Sequence, residues 1–243
     1  MFTRLRQFTY GTLAAAALAA APAQADTTAT TTTEFSYQLV DLNPNDNITP
    51  WITFEYQQAT GTASALTGLY NWDPHQIHGL GTVDYTTPYG HASATVGTDS
   101  YSATATMQAG VTGNAGVAGS TFLDTKFTLS PGTRLVFKLI ASVALSPPED
   151  HAAYGGVTFT GSLESPGPGF EYSSFSHYLT SYQSEHYNLV ESLTTFDQER
   201  SGYFRVGSTA NVTEPPVVPE PDTCAMLLGG LLLLGLRARK LKG

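Results

Sequence analysis

Along most of the chain, apolar and polar positions alternate one by one. In residues 101–108, Tyr101, Ala103, Ala105 and Met107 share one face, while Ser102, Thr104, Thr106 and Gln108 share the other. In residues 135–145, Leu135, Phe137, Leu139, Ala141, Val143 and Leu145 form an apolar face, with Lys138 and Ser142 opposite. A period of two is that of a half-buried strand in an antiparallel sheet. The same reading predicts strands over residues 34–42, 50–57, 91–97, 121–129, 155–163, 170–180 and 202–213. Runs rich in Pro, Gly, Asn and Asp separate them, at 43–47, 130–133, 146–150 and 165–169. Residues 184–193 read equally as strand or short helix.

Only the two ends break this pattern. Arg4 and Arg6 precede the apolar run of residues 11–21, and Ala23 and Ala25 form an Ala-x-Ala cleavage site. Together they predict a signal peptide over residues 1–25 and a mature chain that begins near Asp26, outside the cytoplasm. Residues 26–33, nearly all Thr, read as a low-complexity flexible lead. The expected body, residues 34–213, is one all-β domain, an antiparallel β-sandwich, with a jelly-roll-like arrangement as the finer expectation. A Pro-rich linker follows over residues 214–221.

The far end has three parts. Pro219 and Pro221 have fixed φ and no N–H, so the chain around Glu220 is extended. Residues 224–236 carry no charge, and Asp222 or Thr223 is placed to cap a helix start. Arg237, Arg239, Lys240 and Lys242 close the chain. A helix of that apolar length spans about 20 Å, short of a hydrocarbon core of about 30 Å. Snorkelling bases extend its reach, so it reads as a marginal membrane anchor with the bases on the cytoplasmic side.

These residues resemble a PEP-CTERM sorting signal over residues 218–241. The motif is Val218, Pro219, Glu220, Pro221 and Thr223; the membrane segment is Ala225, Leu227, Leu228, Gly230, Leu231, Leu234 and Leu236; the basic stop, 237–242, centres on Arg237, Arg239 and Lys240. The chain differs from that pattern in having Arg-Ala-Arg-Lys rather than an unbroken Arg run, and in Cys224. The resemblance implies recognition by an exosortase, a membrane-bound processing enzyme of Gram-negative bacteria that make exopolysaccharide. It implies an inner-membrane-anchored precursor, then release to the envelope surface or the extracellular matrix. It assigns no role to the body.

Charge narrows the partners. Residues 26–221 hold 5 Lys plus Arg and 19 Asp plus Glu, a balance of −14. Nucleic-acid affinity rests on neutralising phosphates, so that class of partner is excluded. Cys224 is the only cysteine, so no disulfide braces the body despite the exported setting.

Candidate chemistry within the body is sparse. Asp41, Asn43 and Asn45 open like a calcium loop, but Asp46 replaces the required Gly and Ile52 the closing Glu, so an Asx-rich turn is the expectation. Asp73, His75 and His78 could meet a metal, yet His-x-x-His on a strand does not share a face, and loop residues beside a packed Trp72 are expected. No nucleophile elbow, phosphate loop, dinucleotide fingerprint or zinc-protease motif occurs. Neither a cofactor nor a metal is expected. Trp51, Trp72, Tyr85, Tyr89, Tyr172, Phe175 and Tyr178 could stack on sugar rings if exposed. The chain therefore reads as an exported, non-enzymatic envelope or matrix protein with extracellular polysaccharide as a candidate partner. A secreted glycan-active enzyme and a permanently tail-anchored surface protein are the alternatives.

Overall fold

A computed structural model describes residues 25–67, 71–109, 111, 115–146, 153–164 and 173–213. The expected signal peptide up to residue 24, with Ala23 of its cleavage site, and the expected Pro-rich linker and sorting tail, residues 214–243, lie outside the described residues. Within them the chain is all-β, in two antiparallel sheets.

Twelve strands are described: β1 (Thr27–Asp41), β2 (Ile52–Thr67), β3 (Trp72–His78), β4 (Gly81–Thr87), β5 (Gly90–Val96), β6 (Ser100–Met107), β7 (Ala115–Leu129), β8 (Thr133–Ser146), β9 (Ala153–Leu163), β10 (Ser174–Ser181), β11 (Glu185–Thr194) and β12 (Arg200–Thr213). The first sheet has the order β11-β8-β1-β6-β5-β4 and the second β10-β9-β12-β7-β2-β3. Their inner faces pack on each other. Phe35 on β1 meets Phe204 on β12 with ring centroids 5.2 Å apart, and Phe137 on β8 meets Phe159 on β9 at 6.1 Å.

The expected alternation is seen on β6 and β8, whose buried positions are those assigned above. Of the ambiguous residues 184–193, all but Ser184 fall within β11. The Thr-rich lead requires a correction. It is the first half of β1, paired with β6 from Thr27↔Met107 to Glu34↔Ser100 and with β8 on its other side. Threonine is β-branched and suits a pleated surface. Thr31 and Thr33 are buried, and each hydroxyl finds a partner on the opposite sheet. Thr31 Oγ1 donates to the Thr209 carbonyl at 2.7 Å, and Thr33 Oγ1 shares a hydrogen bond with Ser208 Oγ at 2.6 Å. The β domain thus begins at Thr27, not at residue 34.

That hydroxyl belt divides the interior in two. On one side lies an aromatic cluster that includes Phe35, Phe127, Phe137, Phe159, Phe175 and Phe204. On the other lies a cluster built mainly of small residues, among them Ala29, Ala63, Ala92, Ala103, Ala105 and Ala210. The sheets close together where the side chains are small. A Cβ on Gly119 of β7 would stand 2.4 Å from the Ser93 carbonyl of β5 and 2.8 Å from that of Thr104 on β6. The sandwich is therefore thick at its aromatic end and thin at its alanine end.

Residues 72–87 also differ from expectation. They form β3 and β4, edge strands of the two sheets. Pro74 breaks the alternating pattern, and an edge is where a strand tolerates proline. Two residues carry the chain between the sheets, with Gly79 at φ 92° and Gly81 at φ 142°, backbone that side chains resist.

Candidate functional site

The outer face of the second sheet gathers several of the aromatic side chains that the interior does not use. Cross-strand register sets them out in rows. Tyr178 on β10 lies opposite Thr158, then Gly207, Phe122 and Thr60. Tyr203 on β12 lies opposite Lys126, then Tyr56 on β2. Tyr178 is 74% exposed, and Tyr56 and Tyr203 are each 48% exposed. Successive strands are about 4.8 Å apart, so Tyr56 and Tyr203, two strands apart, sit about 10 Å from one another.

A missing side chain makes this face flat. A Cβ on Gly207 would stand 2.5 Å from Cδ1 and 2.7 Å from Cε1 of Phe122, so the Phe122 ring lies across the Gly207 backbone. Arg205 then sits over that ring, its guanidinium carbon 5.6 Å from the centroid. Arg205 is held by Asp124 in a bidentate pair, Nε to Oδ1 at 2.6 Å and Nη2 to Oδ2 at 3.0 Å. The hydrogen bonds to Asp124 raise the guanidinium pKa above its ordinary value, and the bidentate contact sets opposite charges against each other. Farther along, Trp72 follows the same plan. A Cβ on Gly116 would lie 3.3 Å from Trp72 Cη2, which puts the indole, 40% exposed, over β7.

A β-bulge decides that Tyr56 takes part. The β2–β7 register shifts between Phe54 and Tyr56. Before the shift, Ile52 and Phe54 pack against the aromatic core; after it, Ala63 and Ala65 face inward and Tyr56 faces out. Side chains alternate with period two, so one extra residue flips every later position to the other face. The Tyr56 hydroxyl hydrogen-bonds to the amide of Gln58, and both lie on the exposed surface. Flat aromatic rings interspersed with amide, hydroxyl and a neutralised ion pair can stack on sugar rings and exchange hydrogen bonds with their hydroxyls.

Of the aromatic residues named from the sequence, Trp72 and Tyr178 are on this face. Trp51 and Tyr89 are exposed elsewhere, Phe175 is buried in the core, and Tyr172 lies outside the described residues. Tyr56, Phe122, Tyr203 and Arg205 escaped the sequence reading because each sits in an ordinary strand pattern. The signal available was an aromatic residue on the polar phase of a strand, as Tyr203 is between Gly202 and Phe204. Trp72, expected to pack in a loop, is instead a strand residue on the outer face.

The other candidates resolve into structure. Asp41 Oδ1 accepts from the Asn43 N–H at 2.9 Å and Asp46 Oδ1 from the Ile48 N–H at 2.8 Å, two Asx turns that carry the chain from β1 to β2. Asp73 and His75 are on β3 but do not meet His78. The His75 ring stacks on Tyr85 at 4.1 Å, and the Tyr85 hydroxyl donates to Asp73 Oδ2 at 2.7 Å. That bond to the carboxylate raises the Tyr85 pKa, and the three residues tie the edge strands β3 and β4 together. His177 and Glu191, at 2.6 Å, link β10 and β11 in the same way at the opposite edge. Among the described residues, no three His, Cys, Asp or Glu side chains converge as metal ligands would. No family model, no curated protein and no solved structure matches the chain.

Proposed function

We propose that this chain is an exported, non-enzymatic envelope or matrix protein whose body binds an extended polysaccharide across the outer face of its second sheet. The observation that carries the reading is the aromatic face itself: Tyr56, Tyr203, Phe122 and Tyr178 on a flat surface whose arginine is neutralised. The tail from Val218 to Lys242 supplies the address. It holds a precursor at the inner membrane, where an exosortase-type enzyme reads Pro219-Glu220-Pro221 and releases the body to the matrix. Repeated crossing of the chain between the sheets supports the finer description as a jelly-roll-like sandwich.

The test is affinity electrophoresis of the full chain in gels containing neutral β-linked polysaccharide. Retardation is expected. Tyr203→Ala and Tyr56→Ala should each weaken binding roughly three- to tenfold, the range for one lost ring stack. No retardation by any neutral or acidic polysaccharide would defeat the glycan reading. Polysaccharide cleavage during the run would favour the enzyme alternative. The address is tested separately, by the intact mass of the protein from membrane and released fractions of its host. An end near Pro221 supports processing; a membrane-held chain ending at Gly243 refutes it.

A further inference from the structure

At one corner of the sandwich the described residues place no strand beside β1. β6 pairs with β1 only as far as Glu34↔Ser100, with one more bond from the Phe35 N–H to the Asp99 carbonyl at 2.9 Å. β1 continues to Asp41 along β8, so residues 37–41 have no strand on their other side among the described residues. On the facing sheet, β3 pairs with β2 only from Thr60 to Leu66, and the earlier half of β2 is an edge as well. Between the two edges is a cleft of about 270 Å³, lined by residues that include Tyr37, Phe54, Leu123, Phe204 and Asp99.

The side chains record what is missing. Leu39, Phe54 and Leu123 point toward the aromatic core yet are only partly buried, and Tyr37 is 43% exposed against Phe54. The amides share the deficit. Successive residues of an antiparallel strand bond to opposite neighbours. Because Phe35 bonds toward β6, the N–H and C=O of Tyr37 and Leu39 point along the free edge. Exposed edges are normally blunted by charge, proline or a bulge. Here residues 36–40 read Ser-Tyr-Gln-Leu-Val, with none of these before Asp41; of the other edges, β3 has Asp73 and Pro74, β4 has Asp84, β11 has Glu185 and Glu191, and β10, which has neither proline nor Asp, Glu, Lys or Arg, is tied through His177 to Glu191.

We propose that this corner captures an extended segment of another protein as an added strand on β1. Its backbone pairs with Tyr37 and Leu39, and its alternate apolar side chains cover Phe54 and Leu123. A base at the end of the segment that lies over the β5–β6 turn answers Asp99 and Glu34, two carboxylates that line a cleft there with Lys138 as the one cation among its described lining residues. This site is on a different surface from the aromatic face and does not depend on the glycan reading.

The test is residue-resolved amide exchange on the full chain with the peptide Lys-Val-Thr-Val-Thr-Val and its Leu and Phe counterparts. The Tyr37 and Leu39 amides should exchange roughly tenfold more slowly or better, in proportion to bound fraction. Peptides with proline at the pairing positions should protect neither. If none of the three peptides protects these amides, the proposal is overturned. It is also overturned if they become protected with protein concentration alone, since a second copy would then be the occupant.

Discussion

At the residue scale, the hydroxyl belt is the most exacting part of the interior. Thr33 and Ser208 are buried and bonded to each other across the sheets. Thr33→Val keeps the shape but leaves the Ser208 hydroxyl facing carbon, which costs about 1–3 kcal/mol. Adding Ser208→Ala removes the orphan. The double variant should therefore be less destabilised than the sum of the singles, by denaturant unfolding of all four proteins. Additive losses would mean that the pair does not interact. The belt also explains why the Thr run misleads in sequence. A low-complexity string resembles a flexible segment, and the hydroxyl partners that let Thr31 and Thr33 be buried are nearly 180 residues away in the chain.

Strands with a clear period were legible as elements, and so was the all-β class, because β6, β8 and most of their neighbours have one buried face. Legibility failed where the period is broken for a reason. Pro74 hid β3, which tolerates it at an edge, and β4 shares the same seam. The bulge in β2 hid the phase of Tyr56. Apart from Trp72 and Tyr178, the aromatic face was hidden too, since it depends on which of two faces each residue takes and on Gly207 lying beside Phe122 in a neighbouring strand. The bulge gives a prediction for the element as a whole. Deleting Glu55 removes the extra residue and leaves Phe54 opposite Phe127 followed directly by Tyr56 opposite Lys126, so Ile52 and Phe54 stay inward and Tyr56 stays outward. Denaturant unfolding should therefore show a change below about 1 kcal/mol, with polysaccharide binding kept. A variant that is strongly destabilised or no longer binds would show that the bulge shapes this face beyond the phase it sets.

At the scale of the whole molecule, the body's two ends and its charge bear on the same question. Ala29 near the start of β1 and Val212 near the end of β12 share the alanine cluster, so the chain enters and leaves the body at its thin end. The open corner beside Tyr37 is at the thick aromatic end. Charge separates glycan binding by stacking from binding by ions. Residues 26–221 have a balance of −14, and on the aromatic face Asp124 neutralises Arg205, leaving Lys126 as the cation beside Tyr56 and Tyr203 among the described residues. Ionic contacts at an exposed surface are screened as the Debye length shrinks from about 10 Å at 0.1 M salt to about 3 Å at 1 M. Stacking and hydrogen bonds to neutral sugars carry no such dependence. Affinity for a neutral polysaccharide should therefore change by less than about twofold across that salt range. An acidic polysaccharide should be bound more weakly at low salt than at high salt, because the negative body repels it. A neutral glycan that dissociates steeply as salt rises, or an acidic one preferred at low salt, would place the binding energy in charged groups rather than in the rings.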